Sequence, residues 1–122
     1  MEKFIRYSLI TAFLLLIVSC KTIQPSTKEN PDQFFKISLY SVGTGIDKEA
    51  EAVVINTINK YKKKGYDFEY TMNHWGREGE KNYCIFGPKL TADQYNQILD
   101  EIKSLLKDRQ AHIYEKQACP EY

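Results

Sequence analysis

The 122-residue sequence lacks a long apolar run and an excess of charge of either sign. Its apolar stretch at residues 9–18 would rise only about 15 Å as a helix, against about 30 Å of hydrocarbon, so it is too short for a stable membrane span. The chain carries 17 basic and 16 acidic residues, a formal net charge of +1. This balance argues against a general nucleic-acid-binding protein, because such proteins present a strongly basic face.

Motifs for common chemistries are also missing. Gly43 and Gly45 precede a predicted helix and could present backbone N–H groups to an anion, but the third glycine and the Lys-Ser/Thr pair of phosphate loops are absent. A tight turn is therefore the favoured interpretation. The only histidines, His74 and His112, show no recurring ligand spacing with nearby carboxylates, so we expect no metal site and no cofactor.

The N-terminus has the three parts of an export signal. Lys3 and Arg6 form a short basic segment, and the apolar core at residues 9–18 follows. The next residues, Ile17-Val18-Ser19-Cys20, resemble the lipobox of bacterial lipoproteins, which combines an aliphatic residue, a tolerant position, a small residue and a cysteine. The resemblance implies that residues 1–19 are a lipoprotein signal peptide, removed before Cys20, whose thiol is acylated.

The lipid on Cys20 predicts where the protein resides. Two or three acyl chains, at about 0.8 kcal/mol per buried CH₂, make membrane attachment effectively permanent. Lys21, rather than aspartate, follows the cysteine, and by the same resemblance this favours the outer membrane over the inner one. We expect a lipid-anchored protein of the bacterial cell envelope. The sequence does not indicate whether its domain faces the periplasm or the cell surface. An ordinary secreted protein with an incidental Cys20 is the alternative.

The mature chain divides into a tether and one domain. Residues 20–32 are polar, contain two prolines and have almost nothing to bury, which is typical of a lipidated tether. Residues 33–122 are enough for a single small domain. Within it, Cys84 and Cys119 would form a disulfide in an oxidising envelope if their Cα atoms lie within about 7 Å, and two buried free thiols are the alternative.

Hydrophobic periodicity predicts an α+β domain. Alternating segments indicate four strands, and segments with helical spacing and N-cap residues indicate two helices. The strands are predicted at 34–42, 66–75, 82–86 and 111–116, and the helices at 47–64 and 91–108. The order βαββαβ is the ferredoxin-like pattern, a four-stranded antiparallel sheet with two helices on one face, and it carries almost no functional information.

Three connections of this fold meet at one end of the sheet, which we call the rim: residues 43–47, 74–81 and 109–112. Loops brought together on a rigid scaffold commonly form binding sites. The candidate binding residues of the rim are Thr44, Asp47, His74, Trp75, Arg77, Glu78, Glu80 and His112.

Two groups of rim residues have competing interpretations. Glu78 and Glu80 could act as acid and base, but Arg77 and Lys81 beside them favour a solvated ion-pair cluster. Trp75, as a lone tryptophan at the hairpin tip, is the kind of side chain that anchors binding interfaces, or it folds back over the open side of the sheet.

The favoured hypothesis is a non-enzymatic envelope lipoprotein that binds another macromolecule through the rim. An envelope-complex subunit and an inhibitor or immunity protein are both examples of this class. The alternative is a small envelope hydrolase that uses His74 with Glu78, Glu80 or Asp47, although no nucleophile–base pair is recognisable. A deep cleft at the rim would favour the hydrolase, and a flat or protruding rim would favour the binding protein.

Overall fold

The structure is a computed structural model that describes residues 29–117 and Cys119. The chain forms four strands and two helices in the order βαββαβ, which confirms the predicted ferredoxin-like fold. The elements are β1 (Phe34–Leu39), α1 (Lys48–Lys63), β2 (Glu69–Trp75), β3 (Glu80–Phe86), α2 (Ala92–Leu105) and β4 (Ala111–Glu115). The predicted signal peptide, Cys20 and residues 21–28 of the predicted tether lie outside the described residues.

All four strands form one antiparallel sheet in the order β2-β3-β1-β4. Paired residues project to the same face of a sheet, and neighbours along a strand project to opposite faces. One face, the helix face, carries Ile37 of β1 paired with Tyr83 of β3 and Ile113 of β4. The other face, the open face, carries Ser38 paired with Asn82 and His112.

The hydrophobic core lies between the helix face and the two helices. Phe35, Ile37 and Leu39 of β1 are fully buried there, because β1 is a central strand and both helices pack over it. Each helix contributes one apolar stripe to the same cluster, as amphipathic helices do. The helical residues are Ala50, Val54, Ile58 and Tyr61 of α1 and Ile98, Leu99 and Ile102 of α2.

Both predicted helix starts are confirmed. The Asp47 side chain accepts hydrogen bonds from the backbone N–H groups of Glu49 and Ala50, which have no partner within the helix. Thr91 and Gln94 form the reciprocal capping box at the start of α2. These caps fix where each helix leaves its connecting loop, and the first of them lies at the rim.

Three strand boundaries differ from the prediction by two residues or more. β1 ends at Leu39 rather than at residue 42, because the Ser41 hydroxyl accepts hydrogen bonds from two following backbone N–H groups and turns the chain. β2 begins at Glu69 rather than at residue 66, since the backbone N–H of Tyr66 still donates to the carbonyl oxygen of Tyr61 at the end of α1. β3 begins at Glu80 rather than at residue 82, which shortens the turn of the hairpin.

The described end of the predicted tether contacts the domain. The backbone N–H of Asn30 donates to the carbonyl oxygen of Pro88 at 2.7 Å, and Gln33 is buried. The chain is therefore already held against the domain two residues before the predicted tether ends.

Cys84 and Cys119 form a disulfide, with their Cα atoms 6.2 Å apart. Cys84 lies on the open face of β3, and its partner follows β4, which is two strands away in the sheet. The bond therefore holds the end of the described chain against the open face.

Among the residues that the structure describes, no helix is both long and apolar enough to cross a membrane.

Candidate functional site

The structure brings the three predicted segments of the rim together. The Arg109 guanidinium lies 3.3 Å from the Asp47 carboxylate and also pairs with Glu49, which ties the entry of β4 to the start of α1. A Cβ atom placed on Gly45 would lie 3.7 Å from the carbonyl oxygen of Glu78, so the first loop also contacts the hairpin turn. The rim is thus a packed cluster of loops.

Asp47 is engaged in holding the rim. The hydrogen bond from the backbone N–H of Ala50 lowers the pKa of this carboxyl below its ordinary value of 3.8. Arg109 lowers the pKa further, and the two effects together outweigh burial, which raises it. Both carboxylate oxygens have partners, since Oδ1 caps α1 and Oδ2 faces Arg109. As the helix cap, Asp47 is poorly suited to the catalytic role in the hydrolase hypothesis.

Glu80, the first residue of β3, is buried beside the hairpin turn. Its Oε2 atom accepts a hydrogen bond of 2.8 Å from the backbone N–H of Glu78. Its carboxylate also fills the space beside Gly76, where a Cβ atom would collide with Oε2. Gly76 has φ +69° and Gly79 has φ +83°, conformations that suit glycine. Glu80 therefore stabilises the turn.

The predicted ion-pair cluster around the turn has a different arrangement. Lys81 pairs with Glu51 of α1, and the Tyr83 hydroxyl donates to the same carboxylate at 3.0 Å. Burial raises the pKa of Glu51, but its hydrogen bonds to Lys81 and Tyr83 outweigh that effect and leave the pKa below its ordinary value of 4.5. These contacts fasten α1 to β3 directly below the rim.

Trp75 and His74 project to opposite faces of the sheet. Trp75 is the last residue of β2 and pairs with Glu80, so it lies at the rim end of the open face, where 41% of its surface remains exposed. The predicted end of the second strand at Trp75 is confirmed, and the turn is only residues 76–79 rather than the connection predicted at 74–81. His74 pairs with Lys81 on the helix face, so the arrangement directs His74 away from Glu80.

His112 also lies on the open face, remote from His74. Its ring stacks on Tyr40, with ring centroids 4.7 Å apart and planes 15° apart. In residues 29–117 and Cys119, no three His, Cys, Asp or Glu side chains are grouped so that they could hold a metal ion.

The glycine pair of the first loop is a turn. The backbone N–H groups of Gly43 and Gly45 each donate to the Ser41 hydroxyl oxygen at 3.0 Å. Because both donors already have a partner, the loop geometry favours the tight-turn interpretation over an anion site. Thr44 between them is exposed, as are Arg77 and Glu78 across the rim.

Sequence reasoning missed two features near the rim. Val42 is 66% exposed in the first loop. The amide oxygens of Asn82 and Gln110 are buried without a hydrogen-bond partner among the described residues. The exposure of Val42 follows from the early end of β1, which the sequence pattern did not indicate, and no sequence signal identifies a buried unpaired amide.

Two pockets lie at the other end of the sheet, away from the rim. The larger, of about 310 Å³, is bounded by Pro31, Phe34, Phe86 and the Cys84–Cys119 disulfide. The smaller, of about 190 Å³, is lined in part by Asp67, Pro88 and Lys89. Neither pocket contains a residue of the proposed catalytic set, so they give no support to hydrolysis at the rim.

Comparison of the chain with protein-family models, with curated proteins and with solved structures gave no match.

Proposed function

We propose that the chain is a lipid-anchored lipoprotein of the bacterial envelope whose domain binds another protein through the rim. The motif Ile17-Val18-Ser19-Cys20 supports the anchor and the location. An envelope-complex subunit and an inhibitor or immunity protein both fit this description, because each acts by occupying a partner's surface.

The exposed Trp75 is the observation that carries the binding proposal. Tryptophan is enriched among the residues that contribute most to binding energy, since it buries a large area at a modest entropic cost. In this domain Trp75 is 41% exposed at the rim end of a regular strand. Val42, exposed just before the first rim segment, offers a second apolar side chain at this end of the sheet.

The surroundings of Trp75 favour binding because they are already ordered. Asp47, Arg109 and Glu80 hold the three rim segments by caps, ion pairs and turn hydrogen bonds. An interface that is organised before binding loses less conformational entropy when the partner arrives. The exposed polar side chains of Thr44, Arg77 and Glu78 then supply the polar periphery that typically surrounds the apolar centre of an interface.

The anchor is tested by the mass of the processed chain. We expect intact-mass analysis of membrane-extracted protein to show a polypeptide that begins at Cys20 and carries acyl chains. Cys20→Ala should block both modification and processing, because no thiol is available to the lipid. Ser19→Ala is the matched control, since it preserves the small residue before the cysteine. A soluble, unacylated mature protein would contradict the proposed anchor.

The binding surface is tested by capture from detergent-solubilised envelope. Trp75→Ala is expected to weaken capture of the partner by about 2 kcal/mol or more, roughly 30-fold, with little change in the melting temperature. Phe86→Ala is the matched control, because Phe86 is a similarly exposed aromatic residue at the other end of the same hairpin. Equal capture by both variants and the unmodified protein would show that the rim is not the binding surface.

A further inference from the structure

β2 is an edge strand of the described sheet. It pairs with β3 along its whole length, and no described strand pairs with its other side. An edge strand presents a row of backbone N–H and C=O groups that another strand can join through main-chain hydrogen bonds. The outer edge of β2 is therefore a potential pairing surface.

Most edge strands carry features that prevent such pairing. These features include lysine, proline, bulges and very short length. β2 has seven residues, Glu-Tyr-Thr-Met-Asn-His-Trp, without lysine, arginine, proline or glycine. The opposite edge strand, β4, has five residues and is followed by Lys116 at φ +53°, where the chain turns. Of the two edge strands, β2 is therefore the one that lacks features preventing the addition of another strand.

The exposed apolar side chains of β2 point to the same conclusion. Tyr70 is 46% exposed and Met72 is 43% exposed, and both lie on the helix face of the strand. Two of the seven residues are thus large, apolar and only half covered, so a neighbouring strand would bury apolar area on the helix face in addition to forming main-chain hydrogen bonds.

We propose that a second copy of this chain pairs with β2 in an antiparallel arrangement, with a two-fold axis at Met72. This register overlaps all seven residues of the strand, whereas moving the axis by one residue in either direction leaves five paired. It places Met72 opposite Met72 and Tyr70 opposite His74 on the helix face. The two four-stranded sheets then form one sheet of eight strands.

The charges of β2 and its flanks are compatible with this register. Glu69 faces the uncharged Trp75 of the other copy, so no like charges oppose each other within the strand. Just beyond the strand ends, Asp67 of one copy lies at the register position of Arg77 of the other, and this occurs twice by symmetry. A self-complementary pattern of this kind favours a second copy over an unrelated strand.

The dimer presents both rims for binding. The two Trp75 residues lie at opposite ends of the shared edge, about 20 Å apart along the strands. Because the axis is perpendicular to the sheet, both open faces lie on the same side of the molecule. The dimer therefore goes beyond the proposed function of one domain, and its existence is independent of whether the rim binds a partner.

Cysteine cross-linking of the full chain in membranes tests the register. Opposed residues in antiparallel strands have Cα atoms about 4.5–5.5 Å apart, within the range that a disulfide spans. We expect Met72→Cys, treated with a mild oxidant, to give a covalent dimer that reducing agent converts to monomer. Tyr114→Cys is the matched control, because Tyr114 is 40% exposed on the opposite edge strand and is expected to give at least tenfold less dimer.

A second variant measures the dimer without cross-linking. Met72→Lys places two ammonium groups next to each other on the axis, so the mass of the detergent-solubilised protein is expected to fall from that of two chains to that of one. The melting profile should still show a folded domain, since Met72 is half exposed. Equal cross-linking of the two cysteine variants, a cross-link from residue 72 to a different protein, or a wild-type monomer would each overturn the proposal.

Discussion

Phe35→Ala is expected to destabilise the domain by about 3–5 kcal/mol, because it removes a large side chain from a site that cannot easily collapse. Phe35 is 0% exposed on the central strand β1, and its ring packs edge-on against Tyr95 of α2 with centroids 5.8 Å apart. The site lies between the sheet and the helices, so the cavity left by alanine has rigid walls. Urea unfolding of the purified protein, followed by circular dichroism, measures the loss.

Phe86→Ala provides the matched control for Phe35→Ala. Phe86 is the same residue type on the neighbouring strand, but it lies on the open face and is 44% exposed. We expect its replacement to cost about 1 kcal/mol or less, since part of the ring is already in water. If Phe35→Ala leaves no folded protein to measure, Phe35→Leu is expected to show a smaller loss of the same sign. Equal losses for Phe35→Ala and Phe86→Ala would contradict the assignment of the core to the helix face.

The fold was predictable because its two faces are encoded by local periodicity. Phe35, Ile37 and Leu39 recur at every second position, and only one face of a strand can be buried by such a pattern. The two helix starts were predictable for a similar reason, since Asp47 and Thr91 satisfy N–H groups within their own turn. Each of these signals depends on residues close together in sequence.

The hairpin boundaries were not predictable to the same degree. Glu80 and Lys81 are charged, which favoured a long turn, yet both belong to β3 and pair with residues of β2. Glu80 is tolerated in the strand because the N–H of Glu78 and the space beside Gly76 accommodate its carboxylate. Such contacts form only after the chain has folded back, so the composition of the segment gave the wrong length for the turn.

The sequence predicted where the rim lies, but not what each of its residues does. The strand order alone brings its three segments to one end of the sheet, and the structure shows Asp47 next to Arg109 there. The sequence did not show that Asp47 and Glu80 are engaged in capping and turn contacts, because the partner of a carboxylate depends on side chains that approach from other elements. Trp75 was singled out for its residue type, and its exposed position on β2 keeps it as the candidate anchor.

Loss of the Cys84–Cys119 disulfide is expected to lower the free energy of unfolding by about 2–4 kcal/mol. The bond joins residues separated by 35 positions, and opening a loop of that size gives the unfolded chain much more conformational freedom. The double variant with Cys84→Ala and Cys119→Ala removes the bond without leaving a free thiol. It also truncates a buried side chain at Cys84, so the variant alone overstates the contribution of the bond.

Reduction of the wild-type protein separates the two contributions. Urea unfolding with and without dithiothreitol measures the bond alone, because both samples keep the same side chains. We expect reducing agent to destabilise the wild-type protein by most of the 2–4 kcal/mol and to leave the double variant unchanged. The rim lies at the other end of the sheet from the pocket beside the disulfide, so partner capture by the folded, reduced protein should be unaffected. Equal unfolding midpoints for oxidised and reduced wild-type protein would show that the disulfide does not stabilise the domain.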